Sequence, residues 1–141
     1  AIYNFFTSFG YFSDEDNLKV LKEVSKSLKK GGKFLIDLSN PIRIIKYFMR
    51  KSWFKTEEGI YCIESNELDA LKMVIKSERI ILENGKKIGE KTHYIRLYTP
   101  AELCFLMRIS GLEPVRFYGD WKDLSDYSEN SPRLIIVAVK Q

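Results

Sequence analysis

Asp37 interrupts an apolar run, Phe34, Leu35, Ile36 and Leu38, close to its C-terminal end, and Asn40 follows just beyond it. A carboxylate where a buried strand leaves its sheet can accept a proton from an amine or hydroxyl, and a nearby carboxamide can orient the same group. Asn40 has a competing reading, because Pro41 directly after it makes it a helix cap. His93 is the only histidine, so any Ser-His-Asp or Cys-His arrangement would have to use it. Its alternating neighbours Ile95 and Leu97 form a packing face instead. Thr92, Tyr94, Arg96 and Tyr98 share the opposite face of the same run, where the planar fork of Arg96 suits a carboxylate or an ion-paired surface. Cys62 and Cys104 have no thiol or histidine at ligand spacing, so they read as small buried apolar residues and no metal site is expected.

The elements that must position these groups are written in the hydrophobic pattern. Ile2 to Phe6 reads as a strand. Ser13 and Asp16 form a helix start, Leu18, Leu21, Val24 and Leu28 recur at helical spacing, and Gly31-Gly32 stops the helix. The apolar run around Asp37 is then a strand covered on both faces. Asn40-Pro41 opens a second helix whose stripe is Ile42, Ile45, Phe48 and Met49, fading near Lys51. From Gly59 to Tyr98 the period becomes two, with Asn84-Gly85 as a tight hairpin turn, which predicts three antiparallel strands. Thr99-Pro100-Ala101-Glu102 starts another helix, ended by Gly111. Strands from Glu113 to Tyr118 and from Leu134 to Val139 follow, separated by a polar loop holding Asp120, Trp121, Tyr127 and Arg133. The leading strand, helix and strand form a parallel crossover that begins without the neighbours such a pair needs.

Composition narrows the class. The chain has 141 residues, 45% hydrophobic and 30% charged, which suffices for one domain with a real core and argues against disorder. No apolar run reaches bilayer-spanning length and the first residues lack a signal-peptide pattern, so no membrane partner and a cytoplasmic location are expected. The net charge of +4 is spread among acids. A dedicated nucleic-acid surface is therefore not expected.

The segments FFTSFGYFSDEDNLKVLKEVSKSLKKGGKFLIDLSNP, RLYTPAEL, SGLEPVRFYGD and SPRLIIVAVK together resemble the C-terminal half of class I S-adenosylmethionine-dependent methyltransferases, in a subgroup carrying an inserted antiparallel sheet. The resemblance implies an α/β fold: half of a Rossmann-like methyltransferase sheet, with strands four, five, seven and six in that order (4-5-7-6). Residues 1–141 would be a partial methyltransferase domain, and 59–98 an inserted three-stranded antiparallel subdomain. It implies S-adenosylmethionine as the cofactor of the complete domain and a small molecule as methyl acceptor. By this resemblance Asn4, Phe5, Phe6 and Thr7 would line the cofactor, and Ser8, Phe9 and Tyr11 would face the acceptor; the positional readings above add Asn40, Arg96 and Tyr98 as acceptor contacts. Tyr11 and Asp37 would be the catalytic candidates. No GxGxG motif occurs in the sequence. The chain is accordingly expected to be inactive alone, and its partner would be an N-terminal half or a second copy along the first strand. The alternative is a noncatalytic binding or assembly module that keeps this part of the fold.

Overall fold

Local signals set most element boundaries. A computed structural model describes all residues from 1 to 141. Along the chain run β1 (Ile2–Asn4), α1 (Asp14–Ser27), β2 (Lys33–Ser39), α2 (Pro41–Lys46), β3 (Lys51–Lys55), β4 (Tyr61–Asp69), β5 (Val74–Glu83), β6 (Lys86–Arg96), α3 (Pro100–Ile109), β7 (Leu112–Tyr118) and β8 (Arg133–Lys140). Ser13 caps α1 by accepting from the Asp16 backbone N–H at 3.1 Å. Thr99 and Glu102 form a reciprocal capping box at α3, behind which Pro100 fills the first turn. Gly31 turns the chain after α1 with φ of 77°, and Gly32 lies so close to Lys29 that a Cβ there would meet its carbonyl oxygen at 2.7 Å.

The chain divides into two units, residues 1–47 with 98–141, and residues 48–97. The first holds a four-stranded sheet in the order β1-β2-β8-β7. β1 and β2 are parallel, and β8 runs antiparallel to both β2 and β7. Strand alternation sends Phe34, Ile36 and Leu38 to one face, opposite Ala138, Ile136 and Leu134 of β8. They meet Leu21 of α1, Leu28 at its C-terminal cap, and Leu103 and Met107 of α3 in one buried cluster. Each fully buried side chain of this kind contributes about 1.5–3 kcal/mol. On the other face Tyr3, Leu35, Val115 and Val137, with Lys33 and Arg116 among them, line an open hollow of about 660 Å³.

The second unit is an antiparallel sheet in the order β3-β4-β5-β6. Asn84 and Gly85 turn β5 into β6 with φ of 50° and 74°, the paired positive values that a two-residue hairpin requires. Glu64 joins three strands: Ser52 of β3 donates to it at 3.3 Å and Arg79 Nε of β5 at 2.8 Å.

Four features depart from the sequence pattern. The antiparallel sheet has four strands where three are indicated, because Lys51–Lys55 lacks clean alternation and is recruited by pairing with β4. α2 stops at Lys46 and leaves Ile42 and Ile45 exposed, so its expected stripe is not buried. β1 stops at Asn4 because the chain turns into left-handed backbone at Phe6 and Thr7. β6 stops at Arg96, and Tyr98 is buried in the first unit instead of sharing the face of Thr92 and Tyr94. No helix is long and apolar enough to cross a membrane.

Candidate functional site

Parallel pairing of β1 with β2 sets their carboxyl ends side by side, with Asn4 opposite Ile36 and Asp37 the next residue along β2. Ligands of open α/β sheets bind at such an edge. The antiparallel β8 enters the sheet at the same edge, with Arg133 opposite Ser39. The β1 exit loop, the end of β2 and the start of β8 therefore converge.

Asp37 is the centre of this convergence. Its side chain is 1% exposed, and its Oδ2 accepts from the Phe6 N–H at 3.0 Å while its Oδ1 accepts from Arg133 Nε at 2.7 Å. A buried carboxylate requires such pairing. Both oxygens are thus engaged within the protein, and Asp37 supports the loop in place of the proton-accepting role expected from its position. Arg133 also donates to Ser39 Oγ at 3.3 Å and to Thr7 Oγ1 at 3.4 Å.

Of the expected cofactor residues, Asn4 ends β1, and Phe5, Phe6 and Thr7 follow it in the exit loop. Ser8 Oγ donates to Asn4 Oδ1 at 2.9 Å and to the Phe5 carbonyl at 2.8 Å, closing the loop on itself. Phe6 is 85% exposed. Phe5 stacks on Tyr3 with ring centroids 5.6 Å apart and meets Trp121 of the β7–β8 loop at 5.3 Å. Tyr11 is half exposed, whereas Phe9 is buried against Tyr98 at 5.5 Å. Phe9 and Tyr98 are hence core residues where acceptor contacts were expected. Their burial has a polar anchor: the Tyr98 hydroxyl donates to Asp14 Oδ1 at 2.5 Å and accepts from Asn17 Nδ2 at 3.0 Å.

Asn40 is likewise committed. Its Oδ1 caps α2 by accepting from the Ile42 N–H at 3.1 Å and also accepts from the Tyr127 hydroxyl at 2.8 Å. Its Nδ2 donates to the carbonyls of Ser128, Glu129 and Ser131. The carboxamide pins the β7–β8 loop, so capping prevails over acceptor binding. Burial, helped by the Glu129 charge, pushes the Tyr127 phenol upward and keeps it a neutral donor. Burial likewise raises the Cys104 thiol, which is an inert packing residue.

Arg96 and His93 belong to the second unit, on opposite faces of β6. Arg96 stands across from Val74 and donates to the Leu97 carbonyl at 2.6 Å. Burial, with Arg79 and Lys91 nearby, lowers the pKa of His93 and favours the neutral ring. Sequence reasoning placed Arg133 only in a loop exit and gave it no role. The available signal was an arginine opening the apolar run of β8 while an unpaired Asp37 stood in another apolar strand, since a buried carboxylate demands a cation.

No family model matches the chain, and no curated protein matches it. Solved structures do. The CcbJ methyltransferase from Streptomyces caelestis superposes with a TM-score of 0.84 at 20% identity, over 99% of this chain and 59% of that one. An S-adenosylmethionine-dependent methyltransferase from Clostridium acetobutylicum gives 0.80 at 15% identity, over 94% and 55%. CalS10 from Micromonospora echinaspora, an amino pentose methyltransferase with S-adenosylmethionine bound, gives 0.68 at 13% identity, over 99% and 57%. The chain spans less than two thirds of the length of each of these structures. Over that span, its fold is that of S-adenosylmethionine-dependent methyltransferases.

Proposed function

We propose that this chain is part of an enzyme that moves a methyl group from S-adenosylmethionine to a small nucleophilic acceptor. The observation that supports the reading most is the match of nearly the whole chain to CcbJ at a TM-score of 0.84. A small-molecule acceptor is favoured by the likeness to CalS10, an amino pentose methyltransferase. On this reading β1, β2, β8 and β7 correspond to strands four, five, seven and six of the methyltransferase sheet, and the antiparallel sheet is an insertion.

When bound, S-adenosylmethionine supplies an already activated methyl group, so the protein need only align the acceptor and tolerate a sulfonium charge until it is lost. The residues present fit one end of such a cofactor. Phe5, Phe6 and Tyr11 offer partly or fully exposed ring faces next to the strand end, suited to a sulfonium through their quadrupoles. Asn4 supplies a carboxamide beside them, and Ser8 is the candidate acceptor contact in the same unit. The Tyr11 hydroxyl is the polar group proposed to orient the nucleophile. On this reading the glycine-rich loop that holds the methionine moiety and the acidic residue that holds the ribose have no counterpart among these residues, and we assign that part of the cofactor site to further polypeptide pairing along β1. That strand is three residues long and bonded on one side only.

Calorimetry with S-adenosylhomocysteine tests this. Residues 1–141 alone should bind little, and the protein extended through its upstream coding sequence should bind clearly. Tight binding by residues 1–141 alone would overturn the divided site, and no binding by either form would overturn the methyl-transfer reading. The open β1 edge favours a second reading, a noncatalytic assembly module that pairs with a second copy. Size-exclusion chromatography with light scattering separates the two, since a folded monomer counts against assembly.

A further inference from the structure

The bonds around Asp37 hold a backbone that its sequence disfavours. Phe6 and Thr7 have φ of 57° and 58°, the left-handed region in which a Cβ crowds the neighbouring carbonyl. Two successive residues there, neither of them glycine or asparagine, persist only when their surroundings over-determine them. The surroundings do so from β2. The Phe6 N–H reaches Asp37 Oδ2 at 3.0 Å, the Thr7 N–H reaches the Asp37 carbonyl at 3.0 Å, and Thr7 Oγ1 accepts from the Ser39 N–H at 3.0 Å.

Arg133 bonds directly to three of the four residues of this arrangement and reaches the fourth, Phe6, through Asp37. From β8 its Nε meets Asp37, its Nη1 meets Ser39 and its Nη2 meets Thr7. A planar fork can serve three acceptors in fixed directions, whereas an ammonium is a single point of charge. We infer that Arg133 is a positioning residue for the candidate site: its guanidinium locks the strained Phe6-Thr7 turn through Asp37, Ser39 and Thr7, and so aims Phe5 and Phe6 at the ligand. Without the fork, the carboxylate loses its buried counter-charge and the turn relaxes toward the extended backbone that the residues Ile2 to Phe6 otherwise favour. The effect on ligand rests on the methyl-transfer reading; the locking of the turn does not.

Amide hydrogen exchange in the full chain separates local from global effects. In Arg133→Met the Phe6 and Thr7 amides should exchange about tenfold faster or more, while Ile36 and Ile136 in the sheet keep wild-type protection. Arg133→Lys restores a charge beside Asp37 without the fork, and the same two amides should still be accelerated. It also decides the matter if Arg133→Met does not fold. Unchanged exchange at Phe6 and Thr7 in a folded variant overturns the inference, as does equal acceleration at all four amides, which marks simple destabilisation. In the protein extended upstream, Arg133→Lys should weaken S-adenosylhomocysteine binding about tenfold. Accelerated exchange with unchanged affinity would overturn the positioning role. Absence of binding by the wild type would sink the methyl-transfer reading, leaving the exchange data to judge the lock.

Discussion

At the scale of single residues, the exit loop spends conformational energy at Phe6 and Thr7 to present aromatic rings. A left-handed residue with a Cβ costs roughly 1–2 kcal/mol, and Phe6, at 85% exposure, recovers little of it by packing. Phe6→Gly should therefore stabilise the fold by roughly 0.5–1 kcal/mol, the relief being partly offset by glycine's entropy. Urea denaturation measures this, and a loss of stability would show that the ring carries packing energy. Asp37 was conspicuous in the sequence because a carboxylate broke an apolar run. Its partner was not, since Arg133 lies 96 residues away and is brought opposite Ser39 only by the β2–β8 register. For the same reason Tyr98 read as a strand residue: nothing local shows that its phenol finds Asp14 and Asn17 across the fold.

At the scale of elements, whatever local chemistry decides was legible and whatever pairing decides was not. Ser13, Thr99-Pro100 and Asn84-Gly85 fix helix starts and a hairpin turn through bonds and φ values that span a few residues. β3 has no such signature and exists because β4 offers it a ladder. The antiparallel sheet also carries a pH dependence. Burial, followed by the Arg79 and Lys91 charges, holds the pKa of His93 below its ordinary 6.5, against a smaller opposing pull from Glu64. Below that pH the unfolded chain takes up a proton that the folded sheet disfavours, so this contribution is present above pH 6.5 and is lost as pH falls. Between about pH 7 and pH 5 the melting temperature of the wild type should drop more steeply than that of His93→Gln. Equal slopes would remove His93 from the account.

At the scale of the whole molecule, the two faces of the β1-β2-β8-β7 sheet differ. One is filled by α1 and α3, and the other presents Tyr3, Val115 and Val137 around an open hollow. Ile136→Ala, on the filled face and fully buried, should cost about 2–5 kcal/mol. Val115→Ala, at 45% exposure, should cost less than about 1 kcal/mol. Comparable losses in denaturation experiments would mean that the hollow is covered in solution.

The position of β8 has a consequence for biosynthesis. This strand is last among the eight in sequence, yet it sits between β2 and β7 and bonds to both. Its end also ties back to the glycine turn, where Gly31 N–H donates to the Lys140 carbonyl and Lys140 N–H to that of Gly32, both at 2.9 Å. While a ribosome is still adding residues before Arg133, β7 has no neighbour to bond, and Asp37 has no cation. The four-stranded order therefore closes only once this late segment is in place, and the ion pair of Asp37 closes with it.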